Sequence, residues 1–262
     1  MHLVLDVGNT DTVVGVFHPE SLEPVARTRY PTPPSAAPGG VHQLIRDALQ
    51  NMGFPAGAVS RVVVGSVVST HYEQYRQGAA LLGDPEVVTL DGVSGLPIRL
   101  DPDDPAQGVG VDRIANAVAA AHLYQRDTII VDLGTANTFD CLSEEGLFLG
   151  GVIAAGVPAG QAWLEGRIAS LPLVVFGPPA RVVGRRTEEC LGSGIFFSVV
   201  DAIEGIIRRI RSEWARPDTF VIGTGGYAKM IASHSSTFDE VNPDLTLVGL
   251  KIAGDHRATT SG

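Results

Sequence analysis

A short apolar run, Leu3 to Leu5, leads into Asp6-Val7-Gly8-Asn9-Thr10, and a second run, Ile129 to Val131, leads into Asp132-Leu133-Gly134-Thr135. Each reads as a strand ending in a carboxylate, a glycine and a hydroxyl. Glycine lets the backbone turn tightly and approach a ligand closely. Successive main-chain N–H groups in such a turn make an anion-binding concavity. The Asp can hold a divalent cation that neutralises phosphate charge. Two such turns half a chain apart imply two similar lobes with a nucleotide clamped between them, and hence phosphoryl transfer.

A chain of 262 residues accommodates two lobes of about 120–140 residues each. The net charge of −10 argues against a nucleic-acid-binding surface, because such a surface is basic. It does not forbid an anionic substrate, since a local nest, an Arg or a bound metal reverses the field. Cys141 and Cys190 have neither metal-site nor disulfide spacing. Both sit in apolar stretches and are expected in the core, as in a reducing cytoplasm. The segment Met1 to Asp6 lacks a basic n-region and is not read as a signal peptide. No apolar run is read as reaching the ~18 residues that cross a membrane.

Residues 2–7 and 12–17 read as paired strands around the turn at Gly8 to Asp11, and a third strand is expected over 24–30. Pro31 to Gly40, with four prolines and two glycines, reads as a loop. Val41, Leu44, Ile45, Ala48 and Leu49 are spaced for a helix over 41–52. The β-branched run at 61–68 is a buried strand, followed by a helix near 70–82 and a strand at 86–90. Residues 101–109 read as a loop, and Gly110-Val111-Asp112-Arg113 opens a helix to about Gln125. A second lobe starts with strands at 127–132, 138–142 and 146–153. The longest helix is expected over 188–214, with Ile195, Val199, Ile203, Ile206, Ile207 and Ile210 on a wide apolar stripe. Phe220 to Gly226 is another strand running into a glycine turn, and the tail from about Arg257 reads as disordered. Strands alternating with helices imply an α/β protein.

In order along the chain, these segments resemble the type III pantothenate kinase family of the acetate/sugar kinase–Hsp70–actin superfamily. The resemblance rests on Asp6-Val7-Gly8-Asn9-Thr10, Gly110-Val111-Asp112-Arg113, Asp132 to Asp140, Gly150-Gly151-Val152-Ile153, Thr187, Gly192-Ser193-Gly194-Ile195, Thr224-Gly225-Gly226, and Asn242 to Leu250. It implies an α/β fold of two similar RNase H-like, actin-like lobes, residues 1–124 and 125–262, with a nucleotide cleft between them. The second lobe would carry a long dimerisation helix. The implied activity is ATP-dependent phosphorylation of pantothenate to 4'-phosphopantothenate, the first step of coenzyme A biosynthesis. The implied setting is a cytoplasmic homodimer that uses ATP with magnesium and needs potassium or ammonium, without nucleic-acid or membrane partners.

The resemblance also assigns residues. Asp6, Val7, Gly8, Asn9, Thr10, Asp11, Thr12 and Val13 would form the first ATP-phosphate turn, with Asp6 near the divalent cation. Asp112 would be the catalytic base, accepting the proton of a primary alcohol attacking the γ-phosphorus in line. As a plain sequence feature, it is equally a helix N-terminal Asp that favours the macrodipole. Arg113 would pair with a carboxylate or phosphate through its bidentate fork; a surface ion pair is the alternative. Gly110, Val111 and Thr187 would contact pantothenate, although Thr187 also suits a helix N-cap. Asp132 would hold the monovalent cation, Thr135 would contact ATP, and Gly225 would lie near the adenine or ribose.

The chain departs from the family pattern at Asp11, where Asn is usual, and in the loop 99–109, which lacks a usual Tyr. It also departs at Pro33-Pro34-Ser35, at Asn137 and at Ala155. The missing Tyr motivates a second reading, a kinase for another small hydroxy acid. A third is a non-catalytic, nucleotide-binding regulatory protein, against which the retained Asp112 argues.

Overall fold

The computed structural model describes residues 1–34, 37–68, 70–90, 96–100, 108–157, 159, 160, 162, 172 and 174–260. The chain forms two compact units. One comprises Met1–Gln125, Glu145–Phe148 and Asp244–Gly262; the other comprises Arg126–Glu144 and Leu149–Pro243.

The first unit holds strands β1 (His2–Val7), β2 (Asp11–Phe17), β3 (Pro24–Pro31), β4 (Arg61–Ser66) and β5 (Glu86–Leu90), in the order β3-β2-β1-β4-β5. β1 and β2 run antiparallel, whereas β4 lies parallel to both β1 and β5. The apolar run of β1 is buried on both faces, as a central strand must be. β3 alternates half-buried and exposed residues and carries Pro at each end, which an edge strand tolerates. Helices α1 (Pro38–Asn51) and α2 (Tyr72–Ala80) belong to this unit. Leu3, Leu5, Val7, Val14, Val16, Val41, Ile45 and Tyr75 share one core cluster. The loop expected to last until Gly40 ends earlier, because Pro38 starts α1; its fixed φ and missing N–H suit a first helical position. A two-residue strand β6 (Arg99–Leu100) pairs with Leu147 and Phe148, and α3 spans Val111–Leu123.

In the second unit are β7 (Thr128–Leu133), β8 (Ala136–Leu142), β9 (Leu147–Ala155, from Leu149 on), α4 (Thr187–Glu213), β10 (Phe220–Thr224), α5 (Ala228–Ala232) and β11 (Glu240–Val241). Its sheet runs β6-β9-β8-β7-β10-β11, and apart from the short β6 at the edge this order repeats that of the first unit. The directions repeat as well: β7 is antiparallel to β8, and β10 is parallel to β7 and to β11. The two Asp-x-Gly turns thus occupy equivalent places, each joining the central strand to its antiparallel neighbour. On α4, the expected stripe is found in part: Ile195, Ile203 and Ile207 are buried, Val199, Ile206 and Ile210 are half-buried, and Phe196 and Val200 join the buried face instead.

Helix α6 (Leu245–Thr260) groups with the first unit. Glycines let it approach: a Cβ on Gly65 would stand 2.5 Å from Leu250, and one on Gly249 would overlap the Ala115 carbonyl of α3. The expected disorder from Arg257 is not found. α6 continues to Thr260, and Arg257 Nη1 donates to the Thr89 carbonyl at 2.7 Å.

Two further expectations change. Cys141 is half-buried, but Cys190 is exposed on the first turn of α4, off its buried stripe. Burial pushes the Cys141 thiol up to about 12. Thr187–Glu213 also contains an 18-residue window of mean hydropathy 1.7, so by length and composition it meets the membrane-span requirement that the sequence reading found unmet. Counting unbroken apolar residues misses such a helix, because Ser198, Asp201 and Glu204 interrupt the run without much lowering its mean.

Candidate active site

The first-unit site lies where β1, β4 and α3 begin or end. Asp6 is half-buried, one residue from the end of β1, and pairs in register with Gly65 of β4. Register partners share a sheet face. On that face, a Cβ at Gly65 would lie 3.1 Å from Val111 Cγ1, at the start of α3. Beside it, Val67 N–H donates to the Val7 carbonyl at 3.1 Å, and a Cβ on Gly110 would be 3.4 Å from Val67. Asp6, Gly110, Val111 and Asp112 are therefore gathered in one corner.

Asp112 sits in the first turn of α3, whose N-cap is Gly110. Its Oδ1 accepts the Arg113 N–H at 2.8 Å, so the helix-terminal role is real. The carboxylate folds back over Gly110, where a Cβ would come within 2.4 Å of Oδ1, so a side chain there would push the carboxylate aside. Burial raises the Asp112 carboxyl above its ordinary range, and the N–H and charge of Arg113 pull against it without reversing the shift. A carboxylate raised in this way is a stronger proton acceptor than an exposed one. The Arg113 guanidinium lies over the Phe148 ring at 5.8 Å.

The turn between β1 and β2 is closed by Gly8 N–H donating to the Asp11 carbonyl at 3.0 Å. Asn9 and Thr10 are exposed at its tip. The Asp11 carboxylate pairs with Arg29 Nη1 at 3.5 Å, which offsets the charge that Asp11 adds beside a phosphate site. Val7 and Thr12 point into the core, fully buried, and Val13 is half-buried opposite Asp6. At Val7 and Thr12, then, only the main chain faces a ligand.

In the second unit, Asp132 pairs with Thr138 of β8 and Thr224 of β10. Gly134 N–H donates to the Ala136 carbonyl at 3.1 Å, echoing Gly8. Thr135 is exposed in that turn. Gly225 has φ +88°, and a Cβ there would meet Asp132 Oδ1 at 2.4 Å. The structure thus brings Asp132, Thr135 and Gly225 around one strand end. Thr187 is exposed on the first turn of α4. The N-cap is Arg186, without a side-chain cap bond, while Glu189 accepts the Arg185 N–H at 2.8 Å. Thr187 is therefore not the cap. The loop 101–107, where the missing Tyr would stand, lies outside the described residues.

Hard oxygen donors suit a divalent cation with phosphate, and Asp6, Thr10 and Asp112 are of that kind. Among the described residues, no cluster of three or more His, Cys, Asp and Glu is placed to hold a metal. An ion here would complete its shell with phosphate and water oxygens.

A doubled β-β-β-α-β-α-β-α topology with a carboxylate-glycine turn in each copy defines the class of proteins with the actin-like nucleotide-binding fold. Comparison with solved structures agrees on the fold. A conserved Baf family transcriptional activator from Campylobacter jejuni superposes with a TM-score of 0.60 at 16% identity, covering 98% of this chain and 99% of that one. The profile of the type III pantothenate kinase family matches residues 2–209. The type III pantothenate kinase of Dehalococcoides mccartyi is 38% identical over 253 residues, covering 95% of each chain. That of Thermomicrobium roseum is 38% identical over 255 residues, covering 97% of this chain and 96% of its own. The chain belongs to the type III pantothenate kinase family.

Proposed function

We propose that Asp112 is the general base by which this chain carries out its family's reaction, the ATP-dependent phosphorylation of pantothenate in coenzyme A biosynthesis. The observation that carries the proposal is the raised, half-buried Asp112 carboxyl, gathered with Asp6 at the start of α3. Bound ATP supplies the phosphoryl group, and the divalent cation neutralises its charge. Asp112 takes the proton of the primary hydroxyl as that oxygen bonds to the γ-phosphorus and the bond to the ADP oxygen breaks. Main-chain N–H groups at Asn9 and Thr10 receive phosphate oxygens, and Asp6 holds the divalent cation. Gly110 and Val111 line the substrate's place, Arg113 meets its carboxylate, and the Thr187 hydroxyl contacts it. Thr135 and Gly225 contact ATP.

Asp132 holds a monovalent cation, potassium or ammonium. Support comes from the close seat of the Asp132 carboxylate against Gly225, where a Cβ would stand 2.4 Å from Oδ1. The working form is a cytoplasmic homodimer. Support comes from the 28% burial of the apolar window of α4, and from Val152, Ile153, Val182 and Val183, which are exposed.

Asp112→Asn tests the central assignment. It should lower turnover by at least ~10²-fold, the lower end for loss of general acid–base help. Unchanged turnover would remove Asp112 from the mechanism.

A further inference from the structure

Behind the Gly8–Asp11 turn lies a chain of buried and half-buried hydroxyls that none of the roles above uses. Thr12, fully buried, places Oγ1 2.9 Å from Thr32 Oγ1 and 3.0 Å from the Tyr75 hydroxyl. Tyr75 belongs to α2 and is itself fully buried. Thr32 acts twice, because its main-chain N–H also donates to the Thr10 carbonyl at 2.9 Å. One turn before Tyr75, His71 is buried and its Nε2 donates to the Pro34 carbonyl at 3.2 Å. Tyr30, the register partner of Thr12, adds a phenol whose ionisation is suppressed by burial beside Tyr75. Thr10, at the tip of the turn, and Thr12, just past it, are thus tied to the segment after β3, and Thr12 and that segment are tied to α2.

The chemistry of this arrangement is not that of a core filler. Thr12 stands on the same face of β2 as Val14 and Val16, in a cluster of Leu, Ile and Val. A valine would fill its place, whereas the buried hydroxyls of Thr12 and Tyr75 must each find a partner or be left desolvated and unpaired. Hydroxyls give what a methyl does not, a fixed direction. With Thr12 held by both Thr32 and Tyr75, and Thr10 held by the Thr32 N–H, the main chain at the end of the turn is restrained. Its exposed N–H groups are then pre-organised before phosphate arrives, which lowers the ordering cost of binding.

We propose that Thr12, Thr32 and Tyr75 are positioning residues for ATP, fixing the Gly8–Asp11 turn from its buried side. The inference rests on the reading that this turn receives the ATP phosphates. It assigns Thr32 and Tyr75 to nucleotide affinity although neither touches nucleotide. Losing one hydroxyl should cost at least about fivefold in KM for ATP, the equivalent of one hydrogen bond of about 1 kcal/mol. A device that shapes only the phosphate turn leaves kcat and the KM for pantothenate within about twofold.

The test uses the full chain and four variants: Tyr75→Phe, Thr32→Val, Thr32→Ser and Gly8→Ala. Gly8→Ala probes the turn directly, because a Cβ there would press on the Asp11 carbonyl at 2.9 Å. The expected result is a raised KM for ATP in Tyr75→Phe, Thr32→Val and Gly8→Ala, with Thr32→Ser close to the parent. If Gly8→Ala raises that KM while Tyr75→Phe and Thr32→Val do not, the positioning inference fails and the phosphate turn stands. If Gly8→Ala has no effect, both fail. Equal changes in both KM values, or a loss in kcat alone, would show general structural damage and overturn the inference. Should Tyr75→Phe not fold, the two Thr32 variants decide, since valine and serine separate hydroxyl from shape at a half-buried site.

Discussion

Replacing Gly225 by Ala should damage stability and nucleotide binding together, for reasons that can be separated. Gly225 has φ +88°, and an L-residue in that region costs about 1–2 kcal/mol. The new Cβ would also stand 2.4 Å from Asp132 Oδ1, and 2.7 Å from both the N and O of Leu133. The Leu133 atoms are backbone and cannot swing away. That carbonyl already accepts the Tyr227 N–H at 3.2 Å, a bond the methyl would disturb. Forcing atoms into a filled site costs about 1–3 kcal/mol, so the two effects together come to about 2–5 kcal/mol. Gly53→Ala is the matched control: φ is +83°, but nothing lies within 4 Å of the added Cβ. Urea denaturation of both variants should show a larger loss for Gly225→Ala by about 1–3 kcal/mol, the contact part alone. Displacing the Asp132 carboxylate should also raise the KM for ATP at least about tenfold, or 1.4 kcal/mol, whereas Gly53→Ala leaves it near the parent. Equal destabilisation by the two variants, with an unchanged KM for ATP in Gly225→Ala, would refute the packing argument and the assignment of Asp132.

Other outcomes follow from the same geometry. Because the Asp112 carboxyl is raised above its ordinary 3.8, turnover should fall with acid through a limb lying above that value, and Asp112→Asn should lack the limb. The sign for stability is the reverse of the usual carboxylate: the ionised form is penalised above its folded pKa, so Asp112→Asn should unfold at higher temperature than the parent at neutral pH. Asp132→Ala should act mainly on cation and ATP binding; a KM for ATP equal to the parent under saturating potassium would contradict that role. Lys251 is almost fully buried, donates to the Pro19 carbonyl at 2.8 Å and pairs with Asp255, which also accepts Arg61 at 2.7 Å. Asp255→Asn should cost about 3–5 kcal/mol in denaturant unfolding by leaving a buried ammonium without its anion. A loss below about 1 kcal/mol would place this pair among surface ion pairs.

Much of the fold is legible because its central strands are apolar runs that stop at Asp-x-Gly. β1 and β7 are of this kind, β4 and β10 are apolar runs that end at a glycine with Ser or Thr, and the spacing of Ile195, Ile203 and Ile207 marks α4. Helix α6 was not legible as a helix. Its buried residues Leu245, Leu247, Val248, Leu250, Lys251 and Ala253 lie all round the axis, packed between the sheet and α3. Such a helix has no stripe to reveal it.

The carboxylates of the site could be read from their glycine turns, because the chemistry and the backbone demand sit in adjacent residues. The network of Thr12, Thr32, His71 and Tyr75 could not, since its members are up to 63 positions apart. One signal was available: the two-residue side-chain period of β2 places Thr12 on the same face as Val14 and Val16. That pattern predicts a buried hydroxyl in need of a partner. Nor could Arg29 be foreseen as the partner of Asp11 without the register of β2 against β3, which sets it opposite Val13, two residues from Asp11.

The most direct test is phosphorylation of pantothenate by the purified protein with ATP and magnesium, comparing potassium with sodium. The account predicts turnover that depends on potassium, which would establish the reaction, substrate and cation site in one assay. ATP binding without turnover under either cation would contradict it.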